Sequence, residues 1–173
     1  TIEVESELGK GSTFTVTLKH KIADESYYVK KHLEESGISR EILKNRSILL
    51  AEDNDLNAEI AAVILERAGL KVERVEDGLQ CISRITEMPA GTYDIILMDI
   101  QMPKMDGYKA TQTIRNLSDQ EKACIPIIAM TANAFEEDKR AAIAAGMNGH
   151  IAKPIQVDKL LSILAEMIRQ QEN

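Results

Sequence analysis

Five side chains that could take part in chemistry follow short apolar runs of this sequence. They are Glu52, Asp53, Asp99, Thr131 and Lys153. Carboxylates gather cations, whereas a hydroxyl and an ammonium group donate hydrogen bonds. A single charged residue after a strand is usually just exposed to solvent. The joint occurrence of these five residues after four runs argues against that explanation. The spacing therefore predicts one shared site that holds a cation.

The apolar runs have the length of buried strands and alternate with amphipathic helical segments. The runs are Ile48–Ala51, Val72–Val75, Ile95–Met98, Ile127–Met130 and His150–Ala152. Two helices are marked by apolar stripes, Leu56, Ile60, Val63 and Ile64 in one and Leu160, Leu161, Leu164 and Met167 in the other. Five strands that alternate with five helices predict a parallel sheet covered on both faces. Ligands bind at the carboxyl ends of such strands. Four of the five runs are followed there by one of the side chains named above, and Val72–Val75 is followed by nothing comparable.

Composition and charge narrow the class of protein. The chain has 173 residues, 44% hydrophobic and 28% charged, which excludes fibrous and wholly disordered classes. Residues 1–46 hold eight basic and eight acidic side chains, so the net charge of −7 lies in residues 47–173. This negative charge and the 3% aromatic content disfavour a nucleic-acid partner. No apolar run approaches the ~18 residues of a membrane helix, so no membrane contact is expected.

The first 46 residues differ from the rest of the chain. Residues 1–19 predict two short strands around the glycine turn Gly9–Ser12, and residues 20–46 predict a charged linker with weak helical character. The domain proper is expected to begin at residue 47. Cys81 and Cys124 offer no disulfide framework, so we expect reduced thiols that pack in a cytoplasmic protein.

Residues 47–170 resemble a response-regulator receiver domain, the phosphoacceptor module of two-component signalling. The resemblance is carried by five motifs in order: Glu52-Asp53, Asp99 with Met102-Pro103, Asp106-Gly107, Thr131-Ala132 and Lys153-Pro154. It implies a doubly wound, flavodoxin-like α/β fold with strand order 2-1-3-4-5. Residues 1–19 resemble the C-terminal hairpin of a histidine-kinase ATPase domain through Gly9–Phe14. The two likenesses together imply a piece of a hybrid sensor histidine kinase.

The receiver resemblance implies a role for each site residue. Asp99 is the expected phosphoacceptor, with Mg²⁺ held by Asp53, Asp99 and the backbone carbonyl of Gln101, and by Glu52 through water. Lys153 and Thr131 are expected to contact the phosphoryl group. The Lys153–Pro154 bond is a candidate cis peptide.

Three further residues are assigned to switching and to the lifetime of the phosphoryl group. His150, with Thr131, is the expected switch pair, although receivers usually carry Tyr or Phe where this chain has His150. Gln101 and Asn133 are expected to flank the attacking water. An amide orients a water but is a poor base, so a long-lived phosphoryl group is expected.

The expected partner is a histidine-kinase transmitter domain that donates from phosphohistidine, and the onward partner is a histidine phosphotransfer domain. The chain itself is not expected to be an enzyme, because the kinase machinery is missing from it. Two alternatives stay open. An aspartyl-phosphate hydrolase would carry a second Asp where this chain has Gln101, and a docking module would never take phosphate at all.

Overall fold

The computed structural model describes residues 1–19, 40–132 and 136–171. The strands are β1 Ile2–Glu7, β2 Gly11–Val16, β3 Ser47–Ala51, β4 Lys71–Val75, β5 Ile95–Asp99, β6 Ile127–Thr131 and β7 Gly149–Ala152. The helices are α1 Arg40–Leu43, α2 Asp55–Arg67, α3 Gly78–Glu87, α4 Gly107–Arg115, α5 Gln120–Ala123, α6 Glu136–Ala145 and α7 Val157–Gln171. Each of the five predicted strands of the sheet is present and is one residue longer than predicted. The short helix α5 was not predicted, and Asp119 caps it.

The five central strands form a parallel sheet in the order β4-β3-β5-β6-β7. This confirms the predicted order 2-1-3-4-5 and the doubly wound α/β fold. The order reverses between β3 and β5, whose apolar residues Ile48–Ala51 and Ile95–Met98 are all buried. A switch point of this kind opens a crevice at the carboxyl edge of the sheet, and ligands bind there.

Alternate side chains of the strands face two separate apolar layers. On one face, Ile48 and Leu50 of β3 pack with the buried residues of α2 and α7. On the other face, Leu49 and Ala51 pack with buried residues of α3, α4 and α6. Of the stripe predicted for α7, Leu160, Leu161 and Leu164 are buried and Met167 is half-buried. The sheet is therefore covered by packed helices on both faces.

The stripe predicted for α2 is wrong in detail. Leu56 and Ile60 are 64% and 47% exposed, whereas the inward face consists of Ala58, Ala61 and Leu65. Two alanines and Leu65 make up this inward face, while Val63 and Ile64 of the predicted stripe are only half-buried. Hydrophobicity alone pointed to the wrong face, because small residues bury well without standing out in the pattern.

The predicted linker lies mostly outside the described residues, but its end does not. Helix α1 precedes β3, and Leu43 is completely buried in the core cluster that includes α2 and α7. The packed part of the chain thus begins before residue 47. The prediction for Cys124 was also wrong, since this thiol is exposed. Cys81 is buried as predicted, and burial raises the pKa of its thiol to about 12.

The N-terminal segment forms an antiparallel hairpin in which Ile2 pairs with Val16 and Val4 with Phe14. These four side chains share one face and are all exposed. Within the described residues, no helix has both the length and the apolarity to cross a membrane.

Candidate functional site

Three carboxylates meet at the carboxyl edge of the sheet. Glu52 and Asp53 directly follow β3, and Asp99 is the last residue of the neighbouring strand β5. Because Ala51 pairs with Met98, the residues after them lie side by side. One carboxylate oxygen from each of the three residues lies within 4.8 Å of the others. Glu52 and Asp99 are buried and Asp53 is exposed.

Lys153 follows the edge strand β7, and its side chain extends from there to this cluster. Its Nζ donates to Asp99 Oδ2 at 2.7 Å and lies 2.6 Å from Glu52 Oε2. Its backbone N–H donates to the carbonyl of Thr131, and the bond to Pro154 is cis, as predicted. Burial acts to lower the pKa of Lys153, but the hydrogen bonds to Asp99 and Glu52 outweigh it and raise the pKa. The ammonium group is therefore held charged at the centre of the cluster.

Asp99 lies in an environment that opposes its charge. Burial is the largest influence and raises the pKa of Asp99, while the hydrogen bond from Lys153 acts against it and Glu52 adds repulsion. The amide of Gln101 donates to Asp99 Oδ1 at 3.2 Å. A cation with oxygen ligands would relieve the remaining repulsion. Mg²⁺ fits this donor set, because it prefers oxygen and needs only one or two carboxylates beside water and phosphate.

The remaining predicted residues lie around this cluster. Thr131 ends β6, is buried, and pairs with Ala152 of β7. His150 lies on β7 opposite Ala129 and is half-buried. The side chain of Gln101 is exposed. Asn133 lies outside the described residues. The structure thus brings Thr131 to the same sheet edge, while the roles given to these four residues stay predictions.

The sequence analysis missed a residue of β4, the run from which nothing was expected. The guanidinium of Arg74 donates to the carbonyl oxygens of Glu52 and Asp53 at 3.1 and 3.2 Å. Asn57 also contacts Glu52, through its side-chain amide at 3.2 Å. The available signal was a pair of charged side chains, Glu73 and Arg74, inside the short run Val72–Val75. It was passed over because Arg74 is not itself a residue type that binds a cation.

The loop between β5 and α4 makes contacts that the sequence analysis did not address. Lys104 has a positive φ of 61° and pairs with the buried Asp77 at 2.6 Å. The amide of Gly78 donates to the carbonyl of Met105. Asp106 caps α4 by accepting from the Lys109 amide, a role for which Asp is well suited. These contacts fix the loop that follows Asp99.

The geometry can be compared with known proteins. The sequence profile described as response regulator receiver domain matches residues 48–165. The signal transduction histidine-protein kinase BarA of Escherichia coli K12 is 37% identical over 118 residues, which is 68% of this chain and 12% of BarA. The chain spans less than a fifth of the length of the curated relatives that it matches first.

Two solved structures are also similar. The receiver domain of sensor histidine kinase PA1611 from Pseudomonas aeruginosa PAO1, with magnesium coordinated in its active-site cleft, is 38% identical, with a TM-score of 0.65. The alignment covers 72% of this chain and 98% of that one. The second is a co-crystal structure of the Saccharomyces cerevisiae histidine phosphotransfer protein Ypd1 with the receiver domain of the response regulator Ssk1. It matches this chain with 26% identity and a TM-score of 0.67. That alignment covers 74% of this chain and 92% of the other. By its profile match and its sheet-edge site, the chain belongs to the response regulator receiver domain family.

Proposed function

We propose that this receiver domain accepts a phosphoryl group on Asp99 from a phosphohistidine of a partner protein. The observation that carries the proposal is the buried Asp99 carboxylate at the switch point of the sheet, with Lys153 Nζ 2.7 Å away. In the proposed step an Asp99 oxygen attacks phosphorus, the P–N bond breaks, and its electron pair returns to the imidazole nitrogen. The product is an aspartyl phosphate, and no other bond changes.

The carboxylates of Asp53 and Asp99 and the backbone carbonyl of Gln101 are the proposed direct ligands of Mg²⁺, with Glu52 acting through water. When bound, Mg²⁺ neutralises charge on the phosphoryl oxygens. The proposal is supported by the three converging carboxylates and by the magnesium that the PA1611 receiver structure contains.

Lys153 and Thr131 are the proposed donors to the phosphoryl oxygens. Lys153 already contacts Asp99 and Glu52, so a small movement of its flexible side chain is enough to reach a phosphoryl group on Asp99. Thr131 ends the neighbouring strand and offers a hydroxyl. We propose that Thr131 and His150 move together as the switch. Gln101 and Asn133 are the proposed controls on how fast water removes the phosphoryl group.

An exposed apolar surface beside Lys153 supports docking of a donor protein. Ile60 and Ile155 line a small groove with Asn57, Lys153 and Pro154, and Leu56 is exposed on the same helix as Ile60. A partner that covers this groove places its phosphohistidine near Asp99. The proposed partners are a histidine-kinase transmitter domain and a histidine phosphotransfer domain, and the Ssk1–Ypd1 complex supports the second of these.

The parent protein is proposed to be a hybrid sensor histidine kinase located in, or facing, the cytoplasm. In this proposal residues 1–19 are the end of its ATPase domain, residues 20–46 the linker and residues 47–173 the receiver. The end of the linker packs on the receiver through Leu43. The exposed apolar face of the hairpin supports the first assignment, because a two-stranded hairpin is marginal alone and needs a partner layer. The chain by itself is proposed to accept phosphate rather than to act as a kinase.

Transfer from a histidine donor tests this function. A histidine phosphotransfer protein labelled on its histidine is mixed with wild type, Asp99→Asn and Asp119→Asn in Mg²⁺, and the label on each protein is followed. Asp119→Asn is the matched control, because Asn caps α5 as well as Asp does. Wild type and the control are expected to take the label and Asp99→Asn is not. Equal labelling of Asp99→Asn would overturn the proposal.

A further inference from the structure

Arg74 lies on the edge strand β4, and its guanidinium covers the loop that joins β3 to α2. Nε donates to the Glu52 carbonyl at 3.1 Å, and Nη2 donates to the Asp53 carbonyl at 3.2 Å. Nη2 also lies 2.8 Å from Asp55 Oδ1, at the first residue of α2. One side chain thus contacts three of the four residues from Glu52 to Asp55.

The contacts of Arg74 fall on the backbone of the acidic pair and not on its carboxylates. Glu52 is held in other ways too, because its amide donates to the Val75 carbonyl at 3.0 Å and its carboxylate contacts Asn57 and Lys153. The Asp53 carboxylate is exposed and lies beside two other carboxylates that repel it. A backbone tether at Asp53 opposes rotation of this carboxylate away from the cluster.

The ion pair with Asp55 does not explain the arrangement by itself. The Asp55 side chain is 91% exposed, and exposed pairs contribute little to stability. The carbonyl contacts, in contrast, use the planar fork of a guanidinium, which the single ammonium of a lysine cannot reproduce. The fork spans two consecutive carbonyl groups at the place where the chain leaves the sheet.

We infer that Arg74 is a positioning residue that holds Glu52 and Asp53 in the geometry that binds a divalent cation. The inference rests on the proposed function, in which these carboxylates hold Mg²⁺. It gives the edge strand β4 a part in the site although none of its side chains is among the proposed ligands.

Whether a substitution of Arg74 strengthens or weakens Mg²⁺ binding distinguishes a positioning role from a purely electrostatic one. Arg74 is positive and close to a cation site, so its charge alone opposes Mg²⁺ binding. If charge were its only influence, Arg74→Leu would tighten Mg²⁺ binding. If Arg74 positions the ligands, Arg74→Leu weakens binding despite the loss of a repelling charge. Arg74→Lys keeps the charge and loses the fork, so positioning predicts weakened binding for it as well.

Isothermal titration calorimetry with MgCl₂ on the full chain measures this directly. We expect the Kd for Mg²⁺ to rise about tenfold in Arg74→Lys, near the lower end of the range for residues that hold metal ligands in place. In Arg74→Leu it rises by less, because the lost positive charge offsets part of the effect. Asp55→Asn removes the exposed ion pair and keeps the carbonyl contacts, so its Kd stays within about twofold of wild type, as the small worth of such a pair implies. Lys71→Leu removes a positive charge from the opposite end of β4 and leaves the Kd unchanged.

Melting curves in chelator identify any variant that is unfolded. If Arg74→Leu does not fold, Arg74→Lys still tests the role of Arg74. Tighter or unchanged Mg²⁺ binding in Arg74→Leu, or wild-type binding in Arg74→Lys, would overturn the role of Arg74. A rise in the Kd of Lys71→Leu equal to that in Arg74→Leu would overturn it too, since disturbing β4 at either end would then weaken binding without any contact to Glu52 or Asp53. Absence of Mg²⁺ binding by wild type would instead refute the proposed function, and the positioning role with it.

Discussion

At the scale of single residues, the site balances three carboxylates against one ammonium group. The sequence was sufficient to predict that Glu52, Asp53, Asp99 and Lys153 converge, because all four follow strands that end at one edge. It was not sufficient to predict that Lys153 bridges Glu52 and Asp99, or that Arg74 binds the backbone of the acidic pair. Such contacts depend on the reach of side chains between strands that are not neighbours in sequence.

The pKa of Asp99 leads to a prediction about stability. Burial raises this pKa, so the native state binds the proton more tightly than the unfolded state does. Above both pKa values the ionised carboxylate therefore costs stability, and this cost disappears as the pH falls below the unfolded value. Asp99→Asn is expected to raise the melting temperature in chelator by roughly 2–5 °C, for a gain of the order of 1 kcal/mol.

The melting temperature also has a metal-dependent part. Mg²⁺ is expected to raise it in wild type and to raise it less in Asp99→Asn, because a ligand of the native state stabilises only a chain that binds it. Differential scanning fluorimetry, with Asp119→Asn as the control, gives the melting temperature in chelator and its increase in Mg²⁺. Equal or lower melting of Asp99→Asn in chelator would show that the Lys153 pair outweighs the burial of charge.

A second residue-scale prediction concerns how long the phosphoryl group survives. Gln101 and Asn133 carry neutral amides, which orient water without abstracting its proton. Asn133→Glu is expected to shorten the lifetime of the aspartyl phosphate, and Gln101→Leu to lengthen it by shielding phosphorus. The decay of label in Mg²⁺ is measured for wild type and both variants. Decay of wild type within seconds, or no change in either variant, contradicts this role.

At the scale of elements, the loop from β5 to α4 must pass very close to Asp99. A Cβ on Gly107 would overlap the carbonyl oxygen of Asp99 and come within 2.9 Å of Met98. The sequence offered Asp106-Gly107 as a motif of the resemblance, and in the structure Asp106 caps α4. The tight approach at Gly107 could not be predicted, because it depends on how α4 packs against the end of β5.

Gly107→Ala is therefore expected to destabilise the fold by about 2–3 kcal/mol, as overpacking against backbone does. Gly149→Ala is the matched control, because a Cβ there meets Ile163 and Ile128 at ordinary contact distances of 3.8 and 3.9 Å. Urea denaturation gives the free energy of unfolding of each. A Gly107→Ala variant as stable as Gly149→Ala would mean that the loop has room to move away.

At the scale of the whole molecule, strand order and layering were predictable and the limits of the packed region were not. Regular alternation of apolar runs and helices leaves few topologies, and the predicted order was confirmed. The predicted inward face of α2 was wrong, because alanines contribute little to a hydrophobic pattern. Leu43 was placed in the linker because its neighbours are charged, yet it is completely buried.

Leu43→Ala in the full chain is expected to lower the free energy of unfolding of the receiver by about 2–4 kcal/mol, as for other buried leucines. Leu56→Ala, at an exposed position of α2, is expected to change it by less than about 0.5 kcal/mol. Chemical denaturation of both variants against wild type is the measurement. Equal, small effects would place Leu43 outside the cooperative unit and restore residue 47 as the boundary.

The central claim is that Asp99 is the residue that takes the phosphoryl group. The most direct measurement is to incubate the chain with acetyl phosphate and Mg²⁺, reduce the product with borohydride, and locate the modified residue by peptide mass spectrometry. An aspartyl phosphate is an acyl phosphate, so reduction converts its residue to homoserine. We predict homoserine at position 99 alone, and none when Mg²⁺ is removed by chelator. Modification at Asp53 or Glu52 with Asp99 intact, or no modification at all, would contradict the account.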